Sequence, residues 1–300
     1  MNQGWVYRNQ IKHTEVGLTL LDYYIQHYHH STKEEWRERI LSGQILINNQ
    51  PATPDTLLQK GQNLTYHRPP WQEPEVPLSF AILYEDADLL IIDKPSGLPV
   101  LPGGGFLEHT LLSKVQQQYP LNTPYPIHRL GRGTSGLMLL AKTSQARASL
   151  SQQMRDRQIT KIYRALVGKS DLPNQFTITQ PIGKIPHSIL GYIYGATPDG
   201  FSAHSECLVI QRTAQTTLVE VTILTGRPHQ IRIHLATVGY PLLGDPLYDI
   251  GGKPKMITAE KLAVPSDCGY HLHAYHLSFF HPKTRELISV FSPPPEKLKE

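Results

Sequence analysis

Residues 128–143 read HRLGRGTSGLMLLAKT and contain the pattern G-x-G-x-x-G at Gly131, Gly133 and Gly136. In a dinucleotide-binding fold this pattern follows a strand, and a helix begins at its last glycine. Here residues 125–127 form a poor central strand because they include a proline, and the last glycine is followed by the strand-like run LMLLA. We therefore predict a glycine loop that leads into a strand and holds no nucleotide cofactor.

The composition is that of a globular protein with a mild positive excess. The chain has 300 residues, of which 39% are hydrophobic and 18% charged, and its formal net charge is +4. This excess suits an anionic partner such as RNA. Cys207 and Cys268 are the only cysteines, which indicates a reducing compartment. The N-terminus does not resemble a signal peptide and no apolar run is long enough to span a membrane, so we expect a cytoplasmic protein, or one in an organelle stroma or matrix after loss of a targeting segment.

A proline-rich segment, RPPWQEPEVPLS at residues 68–79, is typical of a linker because it resists both helix and central strand. It predicts a small domain at residues 1–67, a body at residues 80–292 and a polar tail at residues 293–300. In the body, FAILYEDADLLIIDKP predicts a hairpin, and ITKIYRALV, TTLVEVTILT and HLHAYHLSFFHP predict further strands. Clustered strands without regular helix alternation favour an α+β fold.

The N-terminal segment predicts a pair of helices followed by small strands. A capping box at Thr32 begins the second helix, QILINNQPA predicts a strand with an Asn-Asn turn, and LLQKGQNLTYH predicts two strands joined at a glycine. Trp36, Arg37 and Arg39 on the second helix are candidates for contacts with RNA phosphates. Three glutamates lie among them, so a solvated face is the alternative.

Two basic clusters in the body indicate a groove for a phosphodiester chain. The stretch TGRPHQIRIHLATVGYPLLGDPLYD predicts a strand followed by a helix beginning near Pro228, and helix N-termini favour bound anions. Its cluster comprises Arg227, His229, Gln230, Arg232 and His234. The second cluster comprises Arg147, Arg155, Arg157, Lys161 and Arg164. Tyr163, inside the second cluster, is suited to stacking on a base. Together the clusters predict a groove that holds RNA and one exposed nucleobase.

Two other kinds of site are disfavoured. A serine nucleophile elbow requires a glycine two residues after Ser135, and the chain has leucine there. The stretch HLHAYH brings His271, His273 and His276 together, but on a strand the last of them faces away from the other two and no acid follows nearby. We therefore expect no metal at these histidines.

Six ordered motifs between residues 80 and 282 resemble those of the RluA family of RNA pseudouridine synthases. They are DKPSGLPV, HRLxxxTSGLxLLAK, KxYRALV, TGRPHQIRIHL, GDPLYD and LHAYxLSFxHP. The resemblance implies an α+β fold with a mixed, mainly antiparallel central sheet and a catalytic cleft. It also implies isomerisation of a flipped-out uridine in ribosomal or transfer RNA, with no metal or cofactor, no membrane and no obligate protein partner. The stretch WRERILSGQILINNQ resembles the S-four-like RNA-binding domain of a ribosomal protein.

The same resemblance assigns roles to individual residues. Arg129 is expected to fill the space that the flipped base leaves, Tyr163 to stack on that base, and Arg232 to pair with the catalytic carboxylate. Further RNA contacts are expected from His128, Arg132, Thr134, Lys161, Arg227, His229 and Gln230, and from Arg37 and Arg39 in the small domain.

The chain departs from the family at one position, because relatives carry aspartate directly after His-Arg-Leu and this chain has Gly131. Glycine can be neither nucleophile nor base. A replacement carboxylate is one explanation, with Glu108, Asp93 and Asp245 as candidates, the last two in positions that look structural. An RNA-binding protein without catalysis, or a related reaction, are the alternatives. Two glycines in the loop permit close approach of a ligand, which favours an active synthase with a displaced carboxylate.

Overall fold

The computed structural model describes residues 1–187, 190–255 and 267–300 and has two compact units. Met1–Glu73 forms the bulk of the first unit, and Pro74–His187 with Tyr192–Glu300 forms the second. The division between Glu73 and Pro74 lies inside the proline-rich segment.

The first unit has a four-stranded antiparallel sheet and two helices. Its elements are β1 Trp5–Gln10, α1 Leu20–His27, α2 Lys33–Leu41, β2 Ile45–Ile47, β3 Gln50–Pro51 and β4 Asn63–Arg68, with strand order β1-β4-β2-β3. The capping box at Thr32 is confirmed, because its hydroxyl accepts from the Glu35 amide and the Glu35 carboxylate accepts from the Thr32 amide. Asn48 and Asn49 have φ values of 50° and 63°, which makes the predicted turn between β2 and β3.

Two predictions for this unit were wrong. Only the second half of LLQKGQNLTYH is a strand, β4. Its partners are β2 and the strand β1, which was not predicted from the sequence, and not the first half of the same stretch. The Trp36 indole does not face phosphates: it is 1% exposed and packs against Tyr24 and Tyr66. A unit of this size has few large apolar side chains with which to build a core, so burial of the indole outweighs its use at the surface.

The second unit is built on one sheet of ten strands, and its described residues form four further strands outside that sheet. In chain order the strands of the unit are β5 Ala81–Glu85, β6 Leu89–Lys94, β7 Tyr125–Pro126, β8 Ser135–Ala141, β9 Thr160–Gly168, β10 Gln175–Ile178, β11 Ile182–His187, β12 Gly191–Ala196, β13 Ser205–Arg212, β14 Thr216–Ile223, β15 Tyr248–Asp249, β16 Lys253–Pro254, β17 Leu272–Phe280 and β18 Leu287–Phe291. Its helices are α3 Leu111–Gln118, α4 Ser144–Arg155 and α5 Gln230–Thr237.

The large sheet confirms the predicted α+β class. Its order is β10-β13-β14-β9-β17-β8-β6-β5, with β18 beside β17 and β7 beside β8. The pair β17–β8 is parallel, and the other pairs in the sheet are antiparallel. The predicted hairpin β5–β6 and the predicted strands β9, β14 and β17 are present. Two small sheets, β11–β12 and the antiparallel pair β15–β16, lie outside this sheet.

The glycine loop leads into a strand, as predicted. All seven residues of β8 are buried, and they sit between β6 and β17 in the middle of the main apolar core. Gly136, the last glycine of the pattern, has φ 102°, and a β-carbon there would lie 2.3 Å from the Ala274 carbonyl oxygen of β17. This glycine is therefore required by its backbone conformation and by the strand beside it.

The last residues of the chain pack on β9. Leu298 is buried with Leu166 and Leu218. The Arg164 guanidinium donates to the Leu298 carbonyl and to the Glu300 carboxylate at 2.5 Å. Its placement in the second basic cluster was wrong, because Arg164 points away from Tyr163 along the alternation of β9.

Candidate active site

A cleft of about 560 Å³ opens beside β9 in the second unit. Four groups of elements line it: the loop at residues 128–134, the end of α4 with the start of β9, the end of β14 with the N-terminus of α5, and the chain at Tyr270 and Leu272 where β17 begins. We call Tyr163, Arg232 and Tyr270 the floor, because each lines the cleft and is buried. The cationic rim comprises Arg129, Arg155, Arg157, Lys161 and Arg227.

The rim carries positive charge without acidic partners. No rim residue forms a salt bridge with any residue that the structure describes, and no aspartate or glutamate of the described chain lines the cleft. Burial lowers the pKa of Lys161, whose ammonium lies 3.4 Å from the Met154 sulfur. An uncompensated row of cations attracts a polyanion along its length.

Arg157 occupies a strained position in the rim. It follows α4 with φ 59°, a left-handed conformation that glycine usually supplies after a helix. Its amide donates to the Met154 carbonyl and closes the helix. A side chain held in this conformation in a cleft is a sign of function, because the strain has to be offset elsewhere in the fold.

Tyr163 and His128 are neutral. Tyr163 lies in the middle of β9, paired with Val221 of β14 and Ala274 of β17, and burial raises the pKa of its hydroxyl. Burial, with Lys161 nearby, lowers the pKa of His128 to about 3. The His128 Nε2 accepts from the Leu139 amide at 3.2 Å, which fixes the histidine against β8.

His229 begins α5 and also has left-handed backbone, with φ 56°. Its Nδ1 lies 2.7 Å from the Tyr248 hydroxyl, which donates to the Tyr194 carbonyl at 2.8 Å. The Tyr248 hydroxyl has one proton and donates it to the Tyr194 carbonyl, so the His229 Nδ1 is protonated and donates to the hydroxyl oxygen. Burial, with Arg232 nearby, lowers the pKa of His229 to about 3. The ring is therefore neutral and held in one orientation.

Gln230 lines the cleft but its amide is fully engaged by protein groups. It accepts from the Thr225 hydroxyl and the Arg227 amide, and it donates to the His204 carbonyl and the Ser205 hydroxyl, all within 2.7–3.1 Å. Gln230 therefore ties the end of β14 and the preceding strand to the N-terminus of α5. This is a positioning role.

Arg232 forms a buried, two-pronged ion pair with Asp245. Its Nε lies 2.7 Å from Oδ2, and its second terminal nitrogen lies 2.7 Å from Oδ1. The carboxylate also accepts from the amides of Leu247 and Tyr248. Burial opposes the charge of Asp245, but these donors hold the pKa of its carboxyl below the usual value. A carboxylate with four such donors is fixed as an anion and does not line the cleft.

The other two candidate acids lie elsewhere in the second unit. Asp93 is on β6, paired with Ala81 and Leu137, and Glu108 is in the loop before α3. Neither residue lines the cleft. The structure thus brings Asp245 alone, of the three candidates, next to Arg232.

Tyr270 completes the floor, and no local pattern in the sequence indicates it. Its ring centroid lies 4.2 Å from the Arg232 guanidinium carbon. Its hydroxyl lies 3.3 Å from the Thr134 hydroxyl. A β-carbon at Gly131 would lie 2.9 Å from this hydroxyl, and one at Gly133 would lie 2.9 Å from the ring. The two glycines are the one indirect signal of Tyr270, since they imply a close neighbour.

A buried lysine holds the glycine loop in place. The Lys94 ammonium donates to the carbonyls of Pro95, Leu98 and Arg132 at 2.8–3.2 Å. Burial lowers its pKa to about 7. Arg132 itself does not line the cleft: its Nε donates to the Cys268 sulfur at 3.1 Å. The motif DKPSGLPV thus supports the loop that carries Arg129.

The small unit has its own cationic residues. The Arg39 guanidinium lies 4.5 Å from the Trp36 ring centroid and donates to the Ser31 hydroxyl, and Arg37 is exposed. Across the described residues of both units there is no group of three or more His, Cys, Asp or Glu that fits a metal ion. Among the same residues, no helix has the length and apolarity to cross a membrane.

Comparisons with known proteins identify the family to which the chain belongs. The family model described as RNA pseudouridylate synthase matches residues 88–237. The chain is 51% identical to an uncharacterised RNA pseudouridine synthase of Synechocystis sp. over 93% of this chain and 95% of that protein. It is 40% identical to RNA pseudouridine synthase 5 of Oryza sativa, over 99% of this chain and 89% of that protein.

A ribosomal relative and a solved structure extend the comparison. Ribosomal large subunit pseudouridine synthase D of Neisseria meningitidis serogroup A is 33% identical, over 86% of this chain and 71% of that protein. The solved human RNA pseudouridylate synthase domain containing 1 has the same fold, with a TM-score of 0.57 and 23% identity over 75% of this chain and 87% of that one. The chain belongs to the RluA family of RNA pseudouridine synthases.

Proposed function

We propose that the protein converts specific uridines of ribosomal or transfer RNA into pseudouridine by base flipping, with Gly131 at the position of the usual catalytic aspartate. The observation that carries this proposal is the convergence of Arg129, Tyr163 and Arg232 on one cleft. Its volume of about 560 Å³ lies within the roughly 300–1,000 Å³ of small-ligand sites, which suits one flipped nucleotide.

Each part of the cleft has one task in this reaction. The cationic rim binds the phosphodiester backbone on both sides of the target, and Arg129 enters the stack where the base has left it. Tyr163 stacks on the flipped uracil from the floor. Arg232, held by Asp245, cannot swing toward the RNA and supplies a fixed positive charge beneath the ribose. Fixed charge at the reacting centre needs no reorganisation during the reaction.

The small unit supplies additional RNA contacts. Arg37 and Arg39 lie on α2, and the Trp36 ring supports the Arg39 guanidinium from below. A buried aromatic ring under a half-buried guanidinium orders that side chain and reduces the entropy cost of binding a phosphate. This unit has the helix pair and small sheet expected of an S-four-like RNA-binding domain.

The decisive experiment is incubation of the purified protein with unmodified large-subunit ribosomal RNA and transfer RNA transcripts, followed by mass-spectrometric detection of pseudouridine. We expect one or a few sites of modification. Tyr163→Leu removes the stacking ring and is expected to lower the rate of product formation about 5–150-fold, the equivalent of the ~1–3 kcal/mol of one stacked base. Tyr84→Phe, outside the cleft, is the matched control and should retain activity.

One observation favours a second function, an RNA-binding protein without catalysis: no carboxylate of the described chain lines the cleft. The same experiment separates the two. The non-catalytic function would be established if the wild-type protein binds RNA through the cationic rim and leaves the uridines of every natural transcript unmodified.

A further inference from the structure

The glycines at positions 131 and 133 are needed for space and not for backbone conformation. Neither has a positive φ, so an L residue is free to adopt the backbone at both places. A β-carbon at either position would nevertheless come within 2.9 Å of Tyr270, closer than real β-carbons approach another atom. The loop therefore has glycine at both positions because a larger residue would clash with the Tyr270 side chain.

The Tyr270 hydroxyl lies in the space that a side chain at position 131 would enter. Within 4 Å of a β-carbon at Gly131, the structure places the Tyr270 oxygen at 2.9 Å and the Thr134 hydroxyl at 3.5 Å. The rest of the tyrosine ring lies farther away. Tyr270 is 5% exposed and lines the cleft with the face of its ring toward Arg232.

We infer that Tyr270 is the catalytic residue of this protein, and that its hydroxyl attacks the ribose in place of the aspartate that Gly131 lacks. The inference rests on the proposed function. Three features carry it: the hydroxyl occupies the space in front of residue 131, the fixed Arg232 cation lies beneath the ring, and no acid of the described chain lines the cleft.

The reaction balances with this one hydroxyl. In the first step a bond forms between the Tyr270 oxygen and C1′ of the ribose, the C1′–N1 bond breaks with its electron pair on N1, and N1 takes the phenolic proton. The freed uracil then turns so that C5 faces C1′. In the last step C5 bonds to C1′, the tyrosyl–C1′ bond breaks with its electron pair on the oxygen, and the C5 proton passes to that oxygen. Tyrosine is regenerated and no other reactant is consumed.

The surroundings of Tyr270 suit both halves of this cycle. Burial raises the pKa of its hydroxyl, so the proton needed by N1 is present at neutral pH. The Arg232 cation and the Thr134 hydroxyl act in the opposite direction and favour negative charge on the oxygen when the bond to C1′ breaks. Tyrosine serves as a nucleophile on a sugar carbon in sialidases, so the step has a chemical precedent.

Tyr270→Phe is the first test, because it removes one oxygen atom and keeps the ring against Gly133 and Arg232. In a single-turnover assay we expect at least a hundredfold slower formation of pseudouridine, with RNA affinity within threefold of the wild type. Tyr84→Phe removes a hydroxyl that contacts Asp86 outside the cleft and is the matched control. An active wild type with an equally active Tyr270→Phe variant would overturn the inference and leave the proposed function intact. An inactive wild type would overturn both.

The second test replaces the Tyr270 hydroxyl by a carboxylate at position 131. Gly131→Asp alone forces a β-carbon against the Tyr270 oxygen and is expected to lower activity. In the double variant Gly131→Asp/Tyr270→Phe that oxygen is gone, and the nearest atom to the new β-carbon within 4 Å is the Thr134 hydroxyl at 3.5 Å. We expect the double variant to form pseudouridine at least tenfold faster than Tyr270→Phe. A double variant no faster than Tyr270→Phe would show that the carboxylate and the hydroxyl do not share one place.

Discussion

The floor and the rim of the cleft differ in how their positive charges are neutralised. On the floor, Arg232 is 2% exposed and every donor that faces Asp245 is satisfied at 2.7–3.1 Å. On the rim, Arg129, Arg155 and Arg157 are exposed and have no acidic partner in the described chain. The difference is that the protein itself neutralises the charge of the floor, whereas the charge of the rim is left available to a polyanion.

Burial explains this difference. A buried charge without a partner costs several kcal/mol, so the floor has to bring its own anion. An exposed cation is already solvated, and its attraction for a phosphate is available without any loss of stability. We therefore expect the free energy of unfolding to depend on single atoms of the floor, and RNA affinity to depend on the net charge of the rim.

The largest expected effect is on the floor. Asp245→Asn keeps the shape of the side chain but removes the anion of the buried ion pair with Arg232, and we expect the free energy of unfolding to fall by about 3–5 kcal/mol in urea denaturation. Glu300→Gln is the matched control, because it removes the partner of the other buried arginine, Arg164, at a site where the acid is 61% exposed. Its expected loss is about 1 kcal/mol or less. Equal losses would contradict the comparison.

A smaller effect is expected from the glycine loop. Gly133→Ala brings a β-carbon within 2.9–3.0 Å of the Tyr270 ring, and we expect a loss of about 1–3 kcal/mol in the free energy of unfolding. Gly168→Ala at the end of β9 is the control, since its β-carbon meets no atom within 4 Å and its φ is not positive. The control should change the free energy of unfolding by about 0.5 kcal/mol or less. A Gly133→Ala protein as stable as the control would remove the spatial reason for this glycine.

The smallest effect on the free energy of unfolding is expected at the rim, where one substitution should raise stability and lower RNA affinity. Arg157→Gly relieves the left-handed strain at the end of α4 and should raise the free energy of unfolding by about 0.5 kcal/mol. It also removes one phosphate contact, so RNA affinity should fall several-fold and the slope of log K against log salt should decrease by about 1.

Arg285→Gly is the control for this variant. Arg285 has φ 66° in the hairpin between β17 and β18 and does not line the cleft. It should gain the same stability without any change in RNA affinity. A loss of RNA affinity at Arg285 as large as that at Arg157 would show that binding depends on total charge and not on the rim.

The sequence predicted most of the fold because the strands have local signals. The run LMLLA is apolar over the length of a buried strand, KIYRALV contains the β-branched and aromatic residues that favour strands, and both are strands here. The strand β1 was missed because WVYRNQ is mostly exposed and ends in three polar residues, so it lacks the alternation of a half-buried strand. Its only fixed feature is its pairing with β4, which lies more than fifty residues away.

The site was predicted in part for the same reason. Tyr163, Arg129 and Arg232 were named from motifs, and the structure brings them to one cleft. Tyr270 was missed because nothing in CGYHLHAYH marks that tyrosine as part of a site. Its importance arises from contacts with Gly131 and Thr134, 139 and 136 positions earlier. Asp245 was named, but only the structure shows that its carboxylate faces the Arg232 guanidinium.

The amino-acid sequence by itself determined the α+β class, the glycine loop that leads into a strand, the basic clusters and the membership of the family. These properties follow from residue type and short spacing, which act over a few neighbouring positions. Only the tertiary structure decided that one arginine is sealed by Asp245, that Arg164 lies under the end of the chain, and that Tyr270 fills the space in front of Gly131. Those arrangements depend on close packing between distant segments, where a difference of less than an ångström decides which side chain fits.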